Sequence, residues 1–286
     1  MAVAKAPSAI LPSDNFRQFC ERFLVHSKGE FAGKPFILSD WQFDDIIKPI
    51  FDTRRPDGLR AIRTAYIEIP RKNGKTTLGA AIALYMLFAD GEPGAEVVSA
   101  AADREQASIC FDLAVSMVHA SPVLSSMATC FKKEIVTNRG GRYRAISAEA
   151  ATKHGFNLSG IIFDELHCQP DRELWDTLTT ATGARRQPLT VAITTAGHDR
   201  ETLCYELHTY SESILEGRVE DPTFLPVIYS AGNDADWKDE ATWKKANPGY
   251  GVSVHGDYFR QQITEASLSP GKEQAFRRLH LNQWTN

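Results

Sequence analysis

The strongest constraint on the fold is a short apolar strand that runs through a basic turn directly into an apolar helix. The strand is predicted over residues 65–69 and the helix over residues 76–88, with Gly74 and Lys75 in the turn between them. A glycine lets backbone N–H groups turn toward one point, and the helix N-terminus adds the positive end of its dipole there. The arrangement predicts a phosphate-binding turn at the end of a strand.

Further strands and helices alternate along the chain after this unit. Strands are predicted at 96–101, 145–147, 160–163 and 189–195, and helices begin near residue 103 and span 173–182. Alternation over residues 65–196 predicts an α/β fold with a mostly parallel sheet sandwiched by helices. Before it, helices are expected at 15–27 and from residue 39 or 40 to residue 50.

The character of the chain changes after residue 196. Charged helical segments at 201–216, 238–246 and 258–267 flank one strand-like run at 224–230. We therefore expect a flexible tail at 1–14, an α/β core at 15–196 and a remainder of the same domain at 197–286 that contains a small helical subdomain.

Composition excludes several classes of protein. Hydrophobic residues make up 43% and charged residues 24% of the 286 residues, as in ordinary globular proteins. Because 32 Lys and Arg face 36 Asp and Glu, the net charge of −4 excludes a general coat for nucleic acid, and phosphates must be met by a local basic patch. No apolar run is long enough for a membrane span, no secretory signal opens the chain, and the five cysteines lack C-x-x-C spacing, which together favour the cytoplasm.

The basic turn has the residue types that a nucleoside triphosphate requires. Lys75 supplies a mobile cation for the β- and γ-phosphates, and the hydroxyl of Thr76 can ligate Mg²⁺. The match to the common pattern is incomplete, because Ile69 stands where a glycine is usual five residues before Gly74. The alternative interpretation is a solvated basic loop at a helix start.

A second strand ends in adjacent acids. Residues 160–163 are apolar and lead into Asp164 and Glu165. Asp164 would hold the metal through water, and Glu165 would act as the general base that polarises the attacking water. The separation from Lys75 leaves room for an inserted strand, as in ATPases with a catalytic glutamate. The alternative is a plain polar strand cap, and His167 is expected to be a structural hydrogen-bonding residue.

Other segments could recognise or sense the nucleotide. Thr194 and Thr195 end a strand, where hydroxyls can respond to loss of the γ-phosphate, although threonine also simply favours strands. Gln42 can pair with an adenine edge beside Trp41, although both could equally belong to an ordinary helix. The basic run 139–144, with Arg142 and Arg144, could touch a neighbour's γ-phosphate or DNA, or be a solvated turn.

Taken in order, these segments resemble the ATPase domain of the large terminase subunit of tailed double-stranded-DNA bacteriophages. The resemblance rests on Trp41-Gln42, on the turn 70–77 with Arg71 where other families have glycine, on 150–155 ahead of 162–167, and on 194–196. It extends over nearly the whole chain.

The resemblance implies a P-loop ATPase core that hydrolyses ATP with Mg²⁺ and moves double-stranded DNA into a procapsid. It also implies a homo-oligomeric ring, portal protein and small terminase subunit as partners, and the host cytoplasm as location. By position, Arg71, Lys75 and Glu165 would be catalytic, Thr76 and Asp164 would hold the metal, and Thr194 and Thr195 would couple hydrolysis to movement. The nucleotide-binding set would be Trp41, Gln42, Arg71, Lys72, Asn73, Gly74, Lys75, Thr76 and Thr77.

Two departures from the family pattern bear on the interpretation. An arginine that acts on the adjacent subunit commonly precedes a glycine before the acidic strand, but here Lys153 and His154 precede Gly155, so Lys153, Arg142 and Arg144 are all candidates. The family's C-terminal nuclease would need about 100–150 residues beyond the coupling strand. Only 197–286 remain, a length that fits a lid subdomain, so no nuclease is expected in this chain.

Two other functions compete with the motor. Asp-Glu-Leu-His at 164–167 is similar to a helicase box, which suggests a superfamily-2-like helicase or restriction-type translocase. Such enzymes complete the site with a second ATPase-like domain, for which 197–286 is too short. A nucleotide-dependent switch or scaffold with negligible hydrolysis is the second alternative, and the presence of Glu165 argues against it.

Overall fold

The computed structural model describes residues 10–147 and 155–285. Within them, the strands are β1 Thr64–Glu68, β2 Glu96–Ala101, β3 Ala128–Cys130, β4 Glu134–Thr137, β5 Arg142–Ser147, β6 Gly160–Asp164, β7 Leu189–Thr194 and β8 Phe224–Ile228. The first helices are α1 Pro12–Phe23, α2 (Asp40–Gln42, the π-helical turn Phe43–Ile47 and Lys48–Asp52), α3 Lys75–Phe88, α4 Arg104–Ala120 and α5 Pro122–Met127. The later helices are α6 Glu173–Thr180, α7 Leu203–Leu215, α8 Glu240–Ala246, α9 Gly256–Ala266 and α10 Pro270–Leu281.

One sheet contains all of these strands, in the order β3-β4-β5-β2-β6-β7-β1-β8. β4 pairs antiparallel with β3 and β5, and the other neighbouring pairs are parallel. The predicted mostly parallel α/β sheet is confirmed. β7 lies between β1 and β6, so a strand does separate the strand of the basic turn from the strand of the two acids.

Helices cover both faces of the sheet, because its central strands are apolar on both sides. Every residue of β6 and of β7 is buried. On one face α3 packs against β6, β7 and β2, and its buried residues belong to the same apolar cluster as Ile162 and Ile193. On the other face α7 packs against β1 and β8, where a second cluster contains Phe163 and Leu203.

The first helix begins and ends earlier than the sequence pattern predicted. It starts at Pro12, inside the expected tail, because proline is preorganised for the first helical turn and Ser13 is held by Asp52. The Ser13 backbone N–H and hydroxyl donate to the Asp52 carboxylate at 2.9 and 2.6 Å. The chain turns extended at Leu24, so the helix does not reach residue 27. Residues 1–9 of the expected tail lie outside the described part.

Residues after 196 contribute both to the sheet and to a separate helical cluster. β8 joins the sheet edge beside β1, so the α/β core extends beyond the boundary drawn at residue 196. Helices α8, α9 and α10 pack around their own apolar cluster, which includes Trp237, Trp243, Phe259 and Phe276. Of the helices within 10–147 and 155–285, none combines the length and the apolar character that crossing a bilayer requires.

Candidate active site at the carboxyl ends of β1 and β6

The phosphate turn joins β1 to α3 through two left-handed backbone positions. Gly74 has φ 75° and Lys72 has φ 72°. Positive φ is ordinary for glycine but strained for lysine, and such strain persists mainly at functional sites. The buried Lys75 begins α3, and its Nζ donates to the backbone oxygens of Ile69 at 3.0 Å and Pro70 at 3.3 Å.

A cavity of about 470 Å³ opens over this turn. It is lined by Arg71, Lys72, Gly74, Lys75, Thr76, Thr77, Gln106, Glu165, His167 and Cys168. Three cations thus surround a space at a helix N-terminus, which makes the cavity suitable for an anion of high charge.

The two acids meet the phosphate turn at this cavity. Asp164 is the last residue of β6, and Glu165 follows it with φ 55°, so the chain turns sharply there. Lys75 Nζ lies 3.8 Å from Glu165 Oε1. The structure therefore brings Lys75, Asp164 and Glu165 together, as the sequence pattern predicted.

Asp164 is buried in a way that suits a cation ligand. Its side chain is 3% exposed, and its Oδ1 has no hydrogen-bond partner among the described residues. Burial, followed by the charge of Glu165, raises the pKa of Asp164 to about 6, against the opposing hydrogen bond with Thr76. A buried carboxylate beside a threonine hydroxyl is a donor set that Mg²⁺ accepts when phosphate oxygens complete it.

His167 links Glu165 to the end of β7. Its Nδ1 lies 3.3 Å from Glu165 Oε2, 3.1 Å from Thr194 Oγ1 and 3.3 Å from Thr195 Oγ1. Its backbone N–H donates to Thr194 Oγ1 at 3.0 Å. His167 is thus a hydrogen-bonding residue, as expected from the sequence, and the fully buried Thr194 and Thr195 contact the base through it.

Glu165 and His167 shift each other's ionisation. Burial alone would raise the pKa of Glu165, but the hydrogen bond with His167 and the charges of Lys75 and Arg71 outweigh burial and lower the pKa to about 2. Burial alone would lower the pKa of His167, but Cys168 and Glu165 together raise it to about 9. The two side chains therefore form an ion pair at neutral pH.

Replacing His167 by glutamine should destabilise the fold in a pH-dependent way. The stabilisation from Glu165 is complete above its unfolded pKa of about 4.3 and is lost as the pH falls through about 2. That from His167 is complete below about 6.5 and is lost as the pH rises through about 9. We expect urea unfolding of His167→Gln to show a loss on the order of 1–3 kcal/mol at pH 6 and a smaller loss at pH 9.5.

The exposed His198→Gln serves as the control for this comparison and should leave the unfolding free energy unchanged at both pH values. An equal loss for His167→Gln at the two pH values would contradict the ion pair.

A second cavity of about 1020 Å³ adjoins the phosphate turn. Trp41, Gln42, Gly74 and Thr77 line it, so the two residues predicted for adenine recognition do reach the turn. Trp41 packs edge-on against Tyr229 with ring centroids 5.6 Å apart. The amide oxygen of Gln42 accepts the backbone N–H of Ser39 at 3.0 Å, so part of its hydrogen-bonding capacity caps α2.

Asn73 departs from its predicted role. Its side chain is buried and hydrogen-bonds to Asn247 and Gly249, which lie after α8, instead of opening toward the nucleotide cavity. The local pattern could not predict this, because the partners lie far along the chain.

The basic candidates for a neighbour's site are engaged with carboxylates in their own subunit. Arg142 pairs with Glu134 at 3.2 Å, and Arg144 pairs with Glu96 at 3.5 Å. The segment is a β4–β5 hairpin, as its sequence suggested. Lys153 lies outside the described residues. A finger acts on the adjacent subunit, so its identity stays a prediction.

Sequence reasoning missed several residues at the site. Gln106 and Cys168 line the phosphate cavity without belonging to any motif. His280 of α10 is buried, and burial, together with the nearby charges of Arg71, Lys72 and Lys75, lowers its pKa to about 4. Only the proximity of Cys168 to Asp164 in sequence offered a signal.

Comparison with known proteins places this geometry in a family. The family model for the terminase large subunit, ATPase domain, matches residues 43–213. The chain is 34% identical over 272 residues to the terminase large subunit of Enterobacteria phage HK97, covering 93% of this chain and 52% of that protein. Protein YmfN of Escherichia coli K12 is 36% identical over 125 residues, which cover 44% of this chain and 28% of YmfN.

Solved structures agree with this match. The crystal structure of the HK97 bacteriophage large terminase matches with a TM-score of 0.84 at 31% identity, covering 96% of this chain and 56% of that one. The large terminase from a thermophilic bacteriophage matches with a TM-score of 0.52 at 10% identity, covering 85% and 53%, which shows the fold alone. The chain spans about half the length of the HK97 protein. On the family match and the fold together, the chain belongs to the ATPase domain family of terminase large subunits.

Proposed function

We propose that this chain is the ATP-hydrolysing motor domain of a DNA-packaging terminase, which moves double-stranded DNA into a procapsid. The observation that supports this most strongly is the meeting of Lys75, Asp164 and Glu165 at one cavity at the carboxyl ends of β1 and β6. Membership of the terminase family favours this function over a helicase or restriction-type translocase.

ATP and Mg²⁺ are the proposed cofactors. Among the described residues, no group of three or more His, Cys, Asp or Glu side chains could hold a metal alone, so the metal would need the nucleotide's oxygens. Thr76 and the unpartnered oxygen of Asp164 would hold it. Bound there, Mg²⁺ supplies positive charge to the phosphoryl group that is transferred.

The chain's own residues divide the remaining chemistry. Lys75 would leave the carbonyl oxygens of Ile69 and Pro70 for the β- and γ-phosphates, and the exposed Arg71 would act as a switch on the γ-phosphate. Glu165 is ionised at neutral pH because its pKa is about 2. It can accept a proton from the attacking water once it turns from His167 toward the cavity.

Coupling to movement is assigned to Thr194 and Thr195, with α8–α10 as a small helical lid. These hydroxyls contact His167, which contacts Glu165, so a change at the base reaches the end of β7. We further propose a homo-oligomeric ring that works with the portal protein and the small terminase subunit in the host cytoplasm. A neighbour's Lys153, Arg142 or Arg144 would complete each site.

A nucleotide switch or scaffold without hydrolysis is the remaining candidate of another class. The ionised Glu165 beside the phosphate turn opposes it, because a binding module has no need of a base there.

Sites shared between subunits predict activity that depends on concentration. We expect ATP turnover per subunit to rise several-fold between dilute and concentrated protein, and to rise further when double-stranded DNA is added. Steady-state hydrolysis over a hundredfold range of protein concentration measures this. A constant turnover with no response to DNA would contradict the ring motor.

A further inference from the structure

The side chain of Asn73 joins the phosphate turn to the segment after α8. Its Nδ2 donates to Asn247 Oδ1 at 2.9 Å, and its Oδ1 accepts the Gly249 backbone N–H at 2.9 Å. Nδ2 also lies 3.1 Å from the backbone oxygen of Pro70. Because this side chain is only 2% exposed, breaking the contacts would leave buried polar groups unpaired.

Asn247 carries this connection into two helices. Its Nδ2 donates to the backbone oxygens of Trp243 in α8 and His280 in α10, both at 2.9 Å. The Arg71 backbone N–H donates to the Leu279 oxygen at 2.8 Å, which is a second link between the turn and α10. A displacement of the phosphate turn would therefore be transmitted to these helices.

The segment held by Asn73 is a wall of the larger cavity. Pro248, Gly249, Val252 and His255 line this cavity opposite α2. The approach is so close that a Cβ on Gly249 would lie 2.9 Å from Asn73 Oδ1. The position of residues 247–255 is thus set by contact with one side chain of the phosphate turn.

We propose that Asn73 is a positioning residue, whose amide couples occupation of the phosphate turn to the wall of the pocket that receives the nucleoside. This inference rests on the proposed function. Phosphates bound at the turn fix Asn73, and Asn73 then fixes residues 247–255 against the base and ribose. Without the amide, the wall must be ordered by the nucleotide alone, so binding weakens while the chemistry at Glu165 changes less.

Two variants test the link, and a third is the matched control. Asn73→Ala removes both hydrogen bonds, and Gly249→Ala forces the two segments apart. Gly271→Ala makes the same glycine change in α10, where a Cβ meets nothing within 4 Å. The measurements are the Kd for a non-hydrolysable ATP analogue, kcat and KM for ATP, and hydrogen exchange of backbone amides 249–255 with and without the analogue.

In the unchanged protein, the analogue should slow exchange at residues 249–255. Asn73→Ala and Gly249→Ala should raise Kd and KM about tenfold, with a smaller fall in kcat, and should abolish the slowing by the analogue. Gly271→Ala should behave like the unchanged protein. Unaltered Kd and unaltered slowing in both test variants would overturn the inference, even if their melting temperatures fall. Failure of the unchanged protein to bind the analogue would instead contradict the proposed function itself.

Discussion

Replacing Glu165 with glutamine is expected to lower ATP turnover about 100-fold or more while nucleotide binding is retained. Glutamine keeps the size of the side chain but cannot accept the proton from the attacking water. Binding survives because the phosphate contacts come from the turn and from Lys75, not from the carboxylate. Steady-state hydrolysis and binding of a non-hydrolysable ATP analogue measure the two effects separately.

The control for this variant is Glu216→Gln. Glu216 is an exposed glutamate paired only with Arg218 on the surface among the described residues, and its loss should leave turnover within about twofold. Equal turnover in Glu165→Gln and the unchanged chain would remove Glu165 from the mechanism. Loss of binding together with turnover would mean that the carboxylate supports the site structurally.

Replacing Lys75 with methionine is expected to raise the Kd for ATP about 100-fold. Methionine keeps an unbranched apolar stem and removes only the ammonium group. Charge-assisted hydrogen bonds contribute about 1.5–3 kcal/mol each, and about 1.4 kcal/mol corresponds to a tenfold change in affinity. Because burial lowers the pKa of Lys75, this charge carries a desolvation cost in the folded chain, so the variant should still fold.

Lys72→Ala is the comparison for Lys75→Met. Lys72 belongs to the same turn and lines the same cavity, but its side chain is exposed. Screening by water should limit its effect on Kd to less than about tenfold. Equal effects of the two variants in equilibrium binding would show that the turn attracts phosphate by general charge alone.

The sequence predicted the parts of this molecule that depend on local chemistry. A glycine and a lysine between an apolar strand and an apolar helix are enough to place the phosphate turn, and two acids after an apolar strand are enough to place the second half of the site. These segments converge because the carboxyl ends of parallel strands meet at one sheet edge. β1, β7 and β6 are such strands.

What the sequence could not predict depends on contacts between distant segments. By its place in the turn Asn73 would be expected to contact the nucleotide, yet its partner Asn247 is 174 residues away. β8 joins the sheet beside β1, although the charged segments around it suggested a separate region. The left-handed turn at Glu165, which lets it contact His167, follows from burial on both sides and has no local signature.

The most direct measurement is a crystal or cryo-EM structure with Mg²⁺ and a non-hydrolysable ATP analogue. We expect the β- and γ-phosphates in the cavity of the phosphate turn within hydrogen-bond reach of Lys75, and metal density between Thr76 and Asp164. We also expect Glu165 to face the γ-phosphate. Nucleotide bound elsewhere, or Asp164 remote from the metal, would contradict the central claim that these residues form one ATPase site.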